Sequence, residues 1–131
     1  MAGSANAVQA AIHERLTGDA ALTGMIGAGS VFDRRVTGKA MPYLVLGEIV
    51  TTDLAPGTEE HALRIEAWSD AGGRKQSQDI TARVKTLLDG ASLTLSGFHM
   101  VSLAHRRTAA RRAPRTRAQV AEMMFRAVTE D

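Results

Sequence analysis

The sequence contains no cysteine, which excludes disulfides, thiol nucleophiles, iron–sulfur clusters and cysteine-bound zinc. No apolar run approaches the roughly 18 residues that a membrane-spanning helix needs. The first residues also lack the basic and apolar regions of a secretory signal. These absences fit a cytoplasmic origin and predict no membrane partner.

Acidic residues are missing from one long stretch of the chain. Between Asp89 and Glu122 there is no Asp or Glu. Residues 106–117, here called the arginine segment, carry six arginines: Arg106, Arg107, Arg111, Arg112, Arg115 and Arg117. The formal net charge is only +2, so the remainder of the chain is net acidic. Such an uneven distribution concerns the partners of a protein, not its fold.

The length and composition predict one globular domain over residues 1–131. The chain has 131 residues, of which 44% are hydrophobic and 23% charged, an ordinary balance for a folded domain. Apolar residues at helical spacing predict helices over 4–16 and 74–89, and Asp19 is placed to cap a short helical turn between them. No repeat or second domain is evident.

The strand signals come from apolar runs and from alternation. They predict strands over 43–52, 61–69 and 98–108, with a short one at Leu93 and Leu95. Residues 109–116, which include Pro114, are expected to form an exposed basic loop. Residues 117–128 suit either a helix or a strand. The strand is favoured, because two strands joined by a hairpin loop explain why Pro114 lies between them. The predicted fold is α+β, with two main helices packed on one face of an antiparallel sheet of about four strands.

The motifs of known enzymes are incomplete in this chain. His13-Glu14 begins like a zinc-protease signature, but Thr17 stands where the second histidine belongs. Residues 24–29 are rich in glycine without the preceding strand or the following Lys-Ser/Thr of a phosphate loop. We therefore predict no catalytic residue and no cofactor.

The histidines and carboxylates do not predict a metal site either. His99 and His105 lie six residues apart, roughly 20 Å along an extended strand, too far to share one ion. His61 lies on another predicted strand. Glu59, Glu60 and Glu66 offer carboxylates, but their spacing does not argue for an acid–base pair, and a solvated acidic loop explains them.

The arginine segment has three possible roles. The guanidinium group of arginine binds carboxylates and phosphates through two hydrogen bonds. The segment could therefore dock on an acidic protein or bind a nucleic-acid backbone. No aromatic residue interrupts it, so stacking on bases is unsupported. The third role is simple solubility. Docking on a protein is the favoured interpretation.

The order of the segments resembles a known family. The resemblance lies in five segments: Val31-Phe32-Asp33-Arg34, Met41-Pro42-Tyr43-Leu44-Val45-Leu46-Gly47-Glu48, His61 to Trp68-Ser69, Leu87-Leu88-Asp89-Gly90 and Phe125 to Glu130. Over residues 5–130 the chain is similar to the small tail-completion proteins of siphophages and gene transfer agents. That family is similar in fold and role to the lambda-type tail terminator.

The resemblance implies a structural role in a virion tail, not catalysis. Tail terminators form a hexameric ring that caps the tail tube, stops its growth and presents a surface to the head connector. The expected partners are therefore further copies of the chain, the tail tube protein and the connector, with DNA as a passing contact. The runner-up function is a module that binds nucleic-acid backbone through the arginines.

Two charged segments are the candidate partner-binding sites. A ring subunit contacts its neighbours through two different surfaces, so complementary charges on separate segments suit it. We expect an acidic loop, on a neighbouring copy or on the tube protein, to meet the arginine segment. The candidate residues are Asp53, Glu59, Glu60, Arg106, Arg107, Arg111, Arg112, Arg115 and Arg117.

Overall fold

The computed structural model describes residues 3–34, 40–70, 74–114 and 116–131. The described residues form three helices and five strands. In chain order these are α1 (Ala5–Thr17), α2 (Ala20–Ile26), β1 (Val31–Phe32), β2 (Tyr43–Ala55), β3 (Thr58–Ser69), α3 (Lys75–Leu88), β4 (His99–Arg112) and β5 (Gln119–Glu130).

The strands form one mixed sheet in the order β1-β2-β3-β5-β4. β1 runs parallel to β2, and the three other pairs are antiparallel. The α+β class is thus confirmed, whereas a sheet of about four antiparallel strands is corrected to five strands in a mixed sheet. The sequence indicated only a short extended piece at residues 31–33, and not a strand of the sheet, because two residues are too few for alternation to identify a strand.

The helices follow from apolar spacing and from one good cap. Val8, Ile12 and Leu16 are the buried stripe of α1. Asp19 caps α2 by accepting a hydrogen bond from the backbone N–H of Leu22 at 2.8 Å, as its position predicted. On α3 the buried side chains include Ile80, Val84, Leu87 and Leu88, the stripe expected from the sequence.

Apolar side chains are buried on both faces of the sheet. A large core cluster joins residues of all three helices to alternate residues of β2 to β5, among them Leu44, Ile65 and Phe125. Tyr43 and Trp68 belong to a second cluster, and their neighbours in sequence belong to the first, so the second cluster lies on the opposite face. The prediction that the helices pack on one face of the sheet is therefore not clearly met, because the other face also buries apolar side chains.

The end of the chain is a long hairpin. Residues 117–128 were expected to be a strand, and β5 confirms this. The predicted loop over 109–116 is wrong for its first part, because β4 continues to Arg112 and pairs Ala109 with Glu122 and Ala110 with Ala121. Leu93 and Leu95 form no strand, and Leu95 is buried in the large cluster instead.

Candidate interaction surfaces

The arginine segment lies mainly on an edge strand. Arg106, Arg107, Arg111 and Arg112 are exposed residues of β4, which has β5 on one side only. Arg117 is exposed in the connection to β5, and Arg115 lies outside the described residues. The expected flexible loop is therefore corrected: most of these charges are held on a hydrogen-bonded strand.

Four arginines of the segment, Arg117 among them, have no ion pair within the described residues. Arg111 already forms an ion pair with Glu122 across the hairpin, with 2.7 Å between Nη2 and Oε1. Within the described residues, no carboxylate lies within 4.0 Å of Arg106, Arg107 or Arg112. Unpaired exposed arginines retain their full capacity for two-point binding of a carboxylate or phosphate.

The sheet face that carries Tyr43 and Trp68 also holds a groove beside β4. Arg64, Arg106 and Arg107 line it together with the apolar side chain of Met124. Arg64 Nε is buried and has no hydrogen-bond partner among the described residues. On the same face Arg126 donates a hydrogen bond to Glu60. Glu60 and Glu122 also line the groove, each paired with an arginine of its own chain, so the arginines without an ion pair lie beside neutralised carboxylates and Met124.

The acidic candidates behave differently from one another. Glu59 accepts hydrogen bonds from the hydroxyl and the backbone N–H of Ser4, at 2.7 and 3.1 Å, and these bonds lower the pKa of Glu59. Glu60 is already paired with Arg126. Asp53 is exposed and has no ion pair within the described residues. Two of the three predicted acids thus have partners in their own chain.

Sequence reasoning missed Glu48 as a second free carboxylate. It is exposed and lies where the pairing of β2 with β3 shifts between Leu46 and Ile49. It follows the apolar residues 43–46, and the sequence analysis treated it only as part of the strand predicted over 43–52. Glu48 and Asp53 are thus the exposed acids of β2 without an ion pair in the described residues.

His61 is part of a buried polar cluster. Its Nδ1 lies 2.9 Å from the hydroxyl of Thr51, and its Nε2 lies 2.8 Å from Ser4 Oγ and 3.1 Å from Thr129 Oγ1. Burial lowers the pKa of His61, and the Glu59 carboxylate partly opposes that shift. Three hydroxyls around a neutral ring satisfy both of its nitrogens.

No group of three His, Asp or Glu side chains in the described part of the chain could hold a metal. The glycine-rich residues end α2 in a turn, where Gly27 and Gly29 have φ of 88° and 70°. No helix among the described residues is long and apolar enough to cross a bilayer.

The acidic side chains of β2 and the basic side chains of β4 that have no ion pair within the described residues lie towards opposite edges of the sheet. β3 and β5 separate β2 from β4, which places these two strands about 14 Å apart at ordinary strand spacing. Within one molecule two strands therefore separate the acids of β2 from the arginines of β4. Such surfaces can meet only when a second molecule supplies one of them.

Comparison with known proteins gives a consistent result. The family model of the tail completion protein gp17 matches residues 10–130. A chain in the solved virion of a native gene transfer agent particle is 30% identical, with a TM-score of 0.89 and full coverage of both chains. Another solved structure shares the fold at 12% identity and a TM-score of 0.63, covering 98% of this chain and 96% of that one. No curated protein matches the sequence.

Proposed function

The chain belongs to the tail completion protein gp17 family, and from this premise we propose that it forms a ring at the end of a tail tube. In this role it ends polymerisation of the tube and joins the tail to the head connector. The chain is a structural protein of a phage-like tail. The proposed partners are five further copies, the tail tube protein and the connector protein.

The observation that best supports this proposal is the distribution over the sheet of charged side chains that have no ion pair among the described residues. Glu48 and Asp53 lie on β2, Arg107 and Arg112 on β4, and neither set has an ion pair within the described residues. Two different complementary surfaces on one subunit produce head-to-tail contacts, which close into a ring when the rotation between neighbours permits. This supports a ring more directly than it supports a two-fold dimer.

The test is charge reversal at Arg112, which forms no ion pair with any described residue of its own chain. Arg112→Glu is expected to reduce the fraction of protein in rings, measured by mass and by images of tail ends. Lys75→Glu is the matched control, because Lys75 is exposed on α3 and pairs only with Asp79. Unchanged rings in Arg112→Glu would contradict the contact between charged strands.

A reversal at Arg111 tests the same surface with a second effect. Arg111→Glu also removes the ion pair with Glu122 and places two carboxylates beside each other. Exposed pairs contribute only about 0–1 kcal/mol, so the monomer should stay folded. Ring formation should fall at least as far as in Arg112→Glu. Glu48→Arg combined with Arg112→Glu, which restores opposite charges, should recover part of the loss.

The second candidate function is contact with a nucleic-acid backbone. The groove of unpaired Arg64, Arg106 and Arg107 favours it, because guanidinium groups bind phosphates without reading sequence. The assembled protein should then retain DNA at low salt, and Arg106→Ala with Arg107→Ala should abolish retention while rings persist. Retention by the double variant equal to the unmodified protein would exclude this function.

A further inference from the structure

We propose that neighbouring copies are joined by strand addition, with β4 of one copy hydrogen-bonded along the open edge of β2 of the next. The sheet would then continue from subunit to subunit around the ring. This inference rests on the proposed ring and names the surfaces and the bonds that close it. Main-chain bonds between edge strands are a recurrent mode of protein association.

The edge of β2 is covered over only a small part of its length. β1 pairs with Leu44 and Val45 alone, and a backbone hydrogen bond from Leu44 to Ser30 completes that contact. The following residues of β2 pair with β3 and with no other described strand. From Ile49 to Asp53 the outer backbone groups of β2 are therefore open, and an open edge is a template for another strand.

The edge of β4 is capped at its beginning and open at its end. Near the C-terminus of α3, Gly90 N–H donates to Leu103 O at 2.8 Å, and Asp89 Oδ1 accepts from His105 N–H at 2.9 Å. Backbone groups of a strand alternate in direction, and Arg106 is the extra residue of a bulge, so the backbones of Thr108 and Ala110 also face away from β5. Among the described residues, no backbone hydrogen bond other than those of the sheet reaches them.

The directions of the strands agree with pairing between copies. Three antiparallel steps lead from β2 through β3 and β5 to β4, so β2 and β4 run in opposite directions. Rotation about a ring axis keeps the direction of each strand along that axis. With the strands along the ring axis, β4 of one copy therefore meets β2 of the next in antiparallel orientation. Antiparallel alternation then continues across every subunit boundary.

The charges of the two edges favour this partner over others. Glu48 directly precedes the open stretch of β2 and Asp53 ends it, whereas Arg107 and Arg112 flank the open stretch of β4. Each edge repels a second copy of itself, because like charges on paired strands are destabilising. The charges therefore disfavour pairing of β4 with β4 or of β2 with β2, and the mixed pair is selected.

A panel of cysteine pairs tests the contact, since the natural chain has no cysteine. Val50→Cys is combined in turn with Arg107→Cys, Ala109→Cys and Arg111→Cys, whose register places them on the same sheet face as Val50. Thr108→Cys and Ala110→Cys, on the other face, are the matched controls. Oxidation of assembled rings should give covalent multimers with the first group and none with the controls.

A proline substitution tests the main-chain bonds. Ala110→Pro removes an N–H that faces away from β5, so the monomer should keep its thermal unfolding midpoint while rings are lost. Ala109→Pro removes an N–H directed at β5 and should destabilise the monomer itself. If Ala110→Pro also unfolds the monomer, the cysteine panel decides alone.

The outcomes separate this inference from the proposed function. Rings of six 14.0 kDa subunits that give no disulfide with any same-face pair would overturn strand addition and leave the ring intact. Disulfides that form equally on both faces would also overturn it, because paired strands present one face at a time. Absence of rings from tails carrying the unmodified protein would overturn both proposals together.

Discussion

At the scale of single residues, Ser4 fixes the start of α1 to the sheet. It is fully buried, and its hydroxyl lies 2.7 Å from Glu59, 2.8 Å from His61 and 2.6 Å from Thr129. These partners are 55, 57 and 125 residues away in sequence. No local pattern links residues so far apart, so the sequence predicted Ser4 only as the start of a helix and Glu59 only as a partner-binding acid.

Removal of this hydroxyl should destabilise the monomer. Ser4→Ala leaves Glu59, His61 and Thr129 each with one partner fewer, and an unsatisfied buried polar group costs about 1–3 kcal/mol. We expect a decrease of that size in the free energy of unfolding, measured by urea denaturation. Ser92→Ala, at an exposed position, should change it little. Equal stability of the two variants would show that water replaces the hydroxyl.

The buried histidine should make stability depend on pH. Burial holds the pKa of His61 below its unfolded value, so the unfolded chain binds more protons and stability is lost as the pH falls below about 6.5. Burial and then Lys85 also lower the pKa of His105, which adds in the same direction. His61→Gln should reduce the slope of unfolding free energy against pH between neutral and mildly acidic conditions.

The control for that slope is His13→Gln, because His13 is exposed on α1. It should follow the unmodified protein at every pH. A His61→Gln variant with the same slope as the unmodified protein would mean that another group governs the acid response. The Glu59 carboxylate faces His61 within the cluster, so Glu59→Gln in the same series shows how far that charge moderates the effect.

At the scale of elements, regular patterns were predictive and irregular ones were not. The alternation of residues 61–69 and the stripe of 74–89 predicted β3 and α3 to within three residues at every end. β4 was predicted to end near Thr108 because Ala109, Ala110 and the arginines carry no apolar alternation. Its continuation depends on pairing with β5, a tertiary effect that overrides local preference.

The packing of α3 onto the sheet gives a prediction for this scale. Ile80 is fully buried in the large core cluster. Ile80→Ala removes contacts and leaves a cavity, so the free energy of unfolding should fall by about 2–5 kcal/mol. Lys85→Ala on the exposed side of the same helix should stay within about 0.5 kcal/mol of the unmodified protein. Comparable losses in both would place the core elsewhere.

At the scale of the whole molecule, the candidate surfaces were partly predictable. The sequence showed that the arginines and the acids lie far apart along the chain and that their charges are complementary. It did not show that Glu59 and Glu60 have partners within the chain, because ion pairs between strands depend on register. The division of free charge between two edges became visible only with the order of the strands.

Assembly through exposed charges should weaken as salt is added. Between about 0.1 M and about 1 M salt the screening length falls from about 10 Å to about 3 Å, so attraction between β2 and β4 of neighbouring copies loses range. The concentration at which half of the protein is in rings should therefore rise with salt, measured by sedimentation. In Arg112→Glu this dependence should be shallower. A midpoint that does not respond to salt would assign ring formation to apolar contacts.

The opposite directions of β2 and β4 have a consequence for how many copies assemble. If these edges join, every copy offers one donor edge and one acceptor edge, and any number of copies satisfies the same bonds. Stoichiometry is then set by curvature, that is, by the angle at which each sheet meets the next. Larger side chains between the two sheets should change this angle, and with it the diameter of the central opening of the ring, while all main-chain hydrogen bonds between β2 and β4 are kept.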